Sequence, residues 1–337
     1  RFLTGLSMIS IYVVVESWLN DRATNKTRGK VLSIYMIITF IGIGLGTLLL
    51  NFDNPKEYEP FILVSLLLSL ALIPILLTKR KPPTFKKITS IRIKELYKIS
   101  PLGTFSMLCT GFIHPVIFTL GSVYGALMNF SVLEISLYLF LITVAGAIFQ
   151  WPIGYLSDRF DRRLIIIFSS FFGAILTILC FFSVSISPDF INLSSDWKTL
   201  FQHIANHRMF FYIFISLYAG MSLPLFSLNL AYVNDFLPKE KFVSAGAGLQ
   251  LIFGMSAMFA PFLCSFFMSS LGPNGLFLFL FIFQILIVLF GVYRMTRRSS
   301  EENPDNTFTP LPRNITPLGI ELDPDTPATL ENSPNKT

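Results

Sequence analysis

Residues 242–293 run for 52 positions without an Asp, Glu, Lys or Arg. Further charge-free runs cover 31–52, 60–78, 101–133, 135–157, 164–188 and 209–234. A helix crosses a bilayer with about 20 mostly apolar residues, and most of these runs have that length. The composition agrees: 14% of the residues are charged, against about 25% in soluble domains, too few to cover a soluble chain. The sequence therefore describes an all-α polytopic membrane protein, with the lipid bilayer as its first partner. In that setting the net charge of +6 bears on topology, and nucleic-acid binding is excluded as its meaning.

Counting runs predicts nine spans, at about 1–19, 31–51, 60–78, 101–126, 132–153, 164–185, 209–234, 242–270 and 274–294. Gly272, Pro273 and Gly275 divide the longest run into two helices joined by a tight turn. The connections on one side carry twenty Lys and Arg, and those on the other carry three, Lys56, Lys198 and Arg208. Basic residues near span ends resist translocation, so the first helix runs inward and the C-terminus is cytoplasmic. The longest basic connection, 79–100, spaces Ile88, Ile91, Leu96 and Ile99 close to helical period between lysines. That pattern fits an amphipathic helix on the anionic inner leaflet or a solvated linker. The tail, 299–337, is acid-leaning with seven prolines and is expected to be a disordered cytoplasmic segment. Its Thr-Pro pairs at Thr309, Thr316 and Thr326 are modification or docking sites, or plain low-complexity sequence.

Asn20-Asp21 and Asn234-Asp235 each close a span, are followed by a polar loop and lead into another span. Parallel repeats of this kind are a transporter signature. The repeat divides the chain into the remainder of an N-terminal half (1–78), a central loop (79–100), a C-terminal half (101–298) and the tail (299–337). The first half holds three spans and the second six, so three further helices are expected before Arg1. Cys109, Cys180 and Cys264 lie apart within apolar runs, with neither a disulfide framework nor zinc spacing.

Gly154, Asp158, Arg159, Asp161, Arg162 and Arg163 share one connection between the fifth and sixth spans. The run resembles the loop signature of the major facilitator superfamily, with Asp161 standing where that family usually has Gly. Arg1 with Gly5 resembles the start of the family's fourth helix. Glu16 through Asp21, Gln150 through Pro152, and Asn234-Asp235 are similar to its bacterial YcaD-like branch. The resemblance covers about 1–298 and implies the family's transporter fold, helices four to twelve of twelve. It also implies that two halves close against one another and release. An acid at a helix end suits a partner helix N-terminus, Gly154 permits close helix approach, and Arg162 or Arg163 can pair with Asp235. The cytoplasmic gate set is Gly154, Asp158, Arg159, Arg162, Arg163, Asp21, Arg28 and Asp235; otherwise these charges set topology alone.

Ionisable groups inside membrane spans are functional by default, and Arg1, Glu16 and His114 are the principal ones here. With Tyr12, Tyr35, Tyr218, Asn229 and Gln250 they make the candidate substrate and proton cavity, though each polar residue can instead join helix to helix. Gly42, Gly44 and Gly46 meet the family's fifth-helix antiporter pattern only in part, since no proline follows. His203 and His207 have metal spacing without the hydrolase glutamate. Neither a Walker loop nor GxSxG is found, which disfavours an ATP-driven pump or an enzyme. The resulting expectation is a monomeric secondary transporter of a small solute, proton-coupled, working by alternating access in the bacterial inner membrane, with neither cofactor nor metal. The rival is a membrane sensor or scaffold on the same fold.

Overall fold

A computed structural model of the chain describes residues 2–23, 27–53, 57–77, 91–185, 208–297 and 307–326. Its regular elements are helical throughout the described residues. They are α1 (Phe2–Arg22), α2 (Arg28–Leu48), α3 (Glu59–Leu76), α4 (Ile93–Ile99), α5 (Pro101–Leu127) and α6 (Val132–Arg159). They continue with α7 (Arg162–Ser185), α8 (Met209–Ser222), α9 (Leu225–Asn234), α10 (Phe242–Leu271), α11 (Gly275–Met295) and a single turn, α12 (Pro317–Ile320). Eight spans are long and apolar enough to cross a membrane, with α8 and α9 forming one of them. The ninth expected span is apolar but shorter under the same measure, at Glu59–Pro74.

Local chemistry sets the helix ends. A capping box starts α6, with Ser131 accepting from the Glu134 N–H while Glu134 accepts from the Ser131 N–H. Asp161 accepts from the Arg163 N–H at 2.9 Å, so it caps α7. This gives the departure from the family's glycine a structural role. Leu223 and Pro224 interrupt the α8–α9 span, because proline offers no N–H to continue the ladder. Gly272 stops α10 at φ +77°, a left-handed conformation that only glycine adopts cheaply.

Helices α5 to α11 form one tightly packed bundle. α5 lies along α10 and α11, α7 along α8 and α11, and α6 along α8. Tyr124, Tyr138, Phe211 and Phe277 form an aromatic cluster in its core. Small residues allow close approach: a Cβ at Gly111 would lie 2.6 Å from the Phe253 carbonyl oxygen on α10. The short helix α4 turns Leu96 inward against Gly248, and the Ile91 N–H bonds to the Ser244 carbonyl at 3.1 Å. Its most buried apolar side chain therefore packs on protein, while Ile93 and Tyr97 stay exposed.

α2 joins this bundle chiefly through α6. Phe140 packs over Gly44, and Asn51 Nδ2 donates to Ser136 Oγ at 2.6 Å. These contacts fall near the C-terminus of α2 and the N-terminus of α6. At the opposite end, where α6 finishes just past Asp158, the space between α1, α2 and the bundle is occupied by residues 307–326. The expectation of disorder is thus corrected for this stretch. Leu311, Ile315, Ile320 and Leu322 are all buried, so the segment carries enough apolar surface to pack once the helices supply a groove.

Candidate functional site

Residues 307–326 fold back on themselves as a hairpin-shaped loop. Thr307 donates from its N–H and hydroxyl to Asp325, at 2.9 and 3.0 Å, and Thr309 donates to Asp323 at 3.0 Å. Between these ties the chain enters the space between the helices, where Leu311, Pro312, Arg313 and Asn314 line a cavity with His114.

Glu16 lies at the centre of this region. It is fully buried on α1 and accepts from Tyr35 Oη of α2 at 2.7 Å. Its other oxygen accepts from the Thr316 N–H at 2.8 Å, the Gly319 N–H at 3.1 Å and the Thr316 hydroxyl. The loop thus satisfies one carboxylate oxygen and Tyr35 the other, and hydrogen bonds to a charged acceptor are about twice as strong as neutral ones. His114 is also fully buried. Its Nε2–H donates to the Ser222 carbonyl at 3.0 Å, at the α8–α9 break, while Nδ1 has no hydrogen-bond partner among the described residues. It shares a cavity with Thr39, Thr143, Gln150 and Arg313. The space left there is about 30 Å³, room for one or two waters. The Arg313 guanidinium stacks on the Phe118 ring at 3.5 Å.

The expected cavity set therefore divides. Glu16, Tyr35 and His114 gather around the loop, and Gln250 donates to the Arg313 carbonyl at 3.5 Å. Tyr12 is half-buried on α1. Tyr218 and Asn229 sit inside the bundle instead: Tyr218 is in its core, and Asn229 Nδ2 bonds Thr110 Oγ1 at 3.1 Å between α9 and α5. They join helices and do not line the cavity, a role their lengthwise position in a span did not reveal. Arg1, His203 and His207 lie outside the described residues, as does the Asp21 side chain.

The gate set divides in the same way. Arg162 pairs with Asp235, the residue that caps the C-terminus of α9, and with Asp158 at 3.0 Å, joining three helix ends. Arg163 pairs instead with Asp161 at 2.6 Å, and Arg159 stacks on Tyr155. Asp158 accepts from the Phe308 N–H at 2.7 Å, so the loop's backbone N–H takes the place expected of a helix N-terminus. Gly154 lies directly beneath the Phe308 ring, and Arg28 donates to the Thr326 carbonyl at 3.1 Å. Sequence reasoning missed the loop residues Phe308, Arg313, Thr316 and Gly319, although a lone arginine amid buried-type Leu and Ile in the tail was a signal. It also missed the buried pair Arg208–Glu134, 2.6 Å apart at the far end of the bundle. Glu134 is the sole charge breaking the apolar stretch from 101 to 157.

The sequence profile of the Major Facilitator Superfamily matches residues 1–201. An uncharacterized MFS-type transporter YcaD from Escherichia fergusonii is 28% identical over 209 residues, which are 60% of this chain and 53% of the relative. The YcaD protein of Escherichia coli K12 is 27% identical over the same shares. That of Salmonella arizonae is 23% identical over 313 residues, 90% of this chain and 72% of the relative. The chain thus spans about half the length of the Escherichia relatives it matches. No solved structure matches it.

Proposed function

The chain belongs to the Major Facilitator Superfamily, and from that premise we propose that it acts as a secondary active transporter of a small solute. It works by alternating access in the bacterial inner membrane, as a transporter and not an enzyme. Residues 1–78 and 101–298 belong to its two moving halves, 79–100 connects them, and 299–337 lies in the cytoplasm. The basic bias of the connections supports this orientation, which makes the Asp158 end cytoplasmic and the Asn51 end external.

One observation carries the reading. The described parts of the two halves touch through α2 and α6 at the external end, by Gly44–Phe140 and Asn51–Ser136. They diverge at the cytoplasmic end around Glu16 and His114. A space between the halves that is closed by helix contacts on the external face and filled on the cytoplasmic face only by the segment 307–326, with a buried carboxylate and an imidazole lining it, fits alternating access. The Asp158–Arg162–Asp235 cluster lies on the cytoplasmic side, where it supports a role in closing the cytoplasmic gate. Glu16 and His114 are the proton-carrying candidates, because a coupling group must change charge as the site changes solvent.

The test is proton movement in vesicles. The protein is reconstituted with an internal pH dye, and panels of small solutes are imposed as gradients. Solute-dependent proton flux is expected, and it should be lost in Glu16→Gln or His114→Gln with solute exchange at equal pH retained. Asp158→Asn should slow flux without lowering the amount of folded protein. Solute binding with no flux in the unaltered protein would favour the sensor reading. Unchanged proton-driven uptake in both variants would remove Glu16 and His114 from the coupling mechanism.

A further inference from the structure

The loop 307–326 is held chiefly by its backbone. Side chains from five helices reach main-chain groups of the segment. Glu16 and Asn20 of α1 take the N–H groups of Thr316 and Gly319 and the carbonyl of Leu318. Arg28 of α2 takes the carbonyl of Thr326, and Asp158 of α6 the N–H of Phe308. Gln250 of α10 takes the carbonyl of Arg313. Ser227 of α9 donates to the Leu311 carbonyl at 3.1 Å and accepts from its N–H at 3.0 Å, a reciprocal pair like one rung of a sheet. Systematic capture of N–H and C=O groups, with apolar pockets for alternate side chains, is the physics of peptide recognition. Ile320 supplies one such side chain, filling the space above Gly246.

We propose that the cavity between the halves is a peptide-binding site, that residues 307–326 are its tethered occupant, and that this occupant must leave before solute can enter from the cytoplasm. The inference rests on the transporter reading for its consequence, though not for the binding itself. The occupant suits the task in two ways. Pro310, Pro312, Pro317 and Pro324 restrict the free segment, so less entropy is lost on docking. Tethering also supplies an effective concentration of about millimolar order, so modest intrinsic affinity closes the site while leaving it releasable. Solute entry and docking then compete for the space beside His114, Thr143 and Gln150.

Gly319 offers a precise disruption. A Cβ there would lie 2.5 Å from the Ile315 side chain and 2.7 Å from the Glu16 carboxylate, so Gly319→Val opposes the docked shape of the tail and alters no membrane-spanning helix. The experiment uses a chain whose only thiol is Thr143→Cys, with Cys109, Cys180 and Cys264 replaced by Ala, purified in detergent and reacted with a polar maleimide. If the docked form dominates by about tenfold, removing the tail from Thr307 onward should speed labelling by about that factor. Gly319→Val should speed it too. Added peptide 307–326 should restore protection to the shortened chain, and the same peptide with the Gly319→Val change should not. Equal labelling rates in all three chains would overturn the proposal, as would equal protection by both peptides. Should the thiol-replaced chain fail to fold, Ser227→Cys with Leu311→Cys in the otherwise natural chain tests the same docking. A short bifunctional thiol reagent joins the pair if the loop is docked, and absence of that crosslink overturns the proposal. None of these measurements needs solute flux, so tail-dependent labelling without transport would leave the peptide site standing and sink only the transporter reading.

Discussion

Helices α5 to α11 and helices α1 to α3 have similar apolar composition but are held in opposite ways. Within the windows that suit a membrane, 33–61% of residues in the α5–α11 spans are buried by the protein, against 17% in α1 and in α2. The bundle is closed by its own contacts: glycine-mediated approaches, an aromatic core, and arginine bridges between helix ends. α1 buries its polar positions Glu16, Ser17 and Asn20, and α2 buries Arg28 beside Leu32, Met36 and Gly44. Glu16, Asn20 and Arg28 are buried, and each is engaged by residues some 300 positions later in the chain. The difference shows that apolar surface alone does not fix a helix in a bilayer, where lipid serves as well as protein. Position comes from close backbone approach in one region and from polar contacts in the other.

The largest expected effect that sharpens this contrast lies at Arg162 and its counterpart Arg28. Arg162→Met leaves Asp235 and Asp158 without the guanidinium that joins them inside the bundle. Removing one partner of a buried pair costs about 3–5 kcal/mol. Arg28→Met removes one bond to a carbonyl, worth about 1.5–3 kcal/mol at most for a charged donor, and acts on loop docking more than on the fold. Thermal unfolding in detergent, followed by monodispersity on a sizing column, should show a large fall for Arg162→Met and little for Arg28→Met. Equal losses would break the distinction between the two regions.

The next effect compares glycines. Gly111→Val forces side-chain atoms into the α10 backbone around Phe253, and overpacking of this kind costs about 1–3 kcal/mol. Gly46→Val on α2 meets nothing within 4 Å and should leave the unfolding temperature nearly unchanged. Comparable destabilisation by both would mean that α2 has a closer neighbour than the α6 contact provides.

Much of the bundle was legible because charge marks the membrane boundary in a sequence. The breaks at 154–163 and 272–275 fall where acids, bases, Gly and Pro interrupt apolar runs, and helix ends follow within a few residues. The loop signature offered Arg162 or Arg163 as the partner of Asp235, and the packing selects Arg162. What composition cannot give is azimuth. Asn229 and Tyr218 lie in spans like Glu16 and His114, yet only the packing angle decides which of them face the cavity. The tail was misjudged for a related reason. A proline-rich, acid-leaning stretch lacks helical or strand period, and period is the signal that reveals order. A segment that packs as an irregular loop against side chains far away in the sequence leaves no such trace. Only Leu311, Ile315, Ile320 and Leu322, buried beside Glu16 and Ser227, hinted at a partner.

The smallest effect tests whether the contact between tail and helices responds to pH. Asp323 is buried at the neck of the loop, and that burial pushes its carboxyl from the ordinary 3.8 up to about 6. Hydrogen bonds from Thr309 and the Asp325 N–H oppose the shift, and the Asp325 carboxylate adds to it. From α7 Arg162 faces the group and lowers its pKa a little, its charge already shared by Asp158 and Asp235. A carboxyl whose pKa is higher when docked than when free takes up a proton on docking. Docking is therefore strongest below about 4, weakens as pH rises through about 6, and is flat above about 7. Between pH 7 and pH 5 the affinity of labelled peptide 307–326 for the tail-shortened chain should rise by about tenfold. The Asp323→Asn peptide should bind with most of that gain already present at pH 7. Because Glu16 is the same in both measurements, the difference between the two peptides isolates Asp323. If both peptides show the same pH dependence, Asp323 is not desolvated on docking, and the neck of the loop is looser than its Thr309 and Thr307 ties imply.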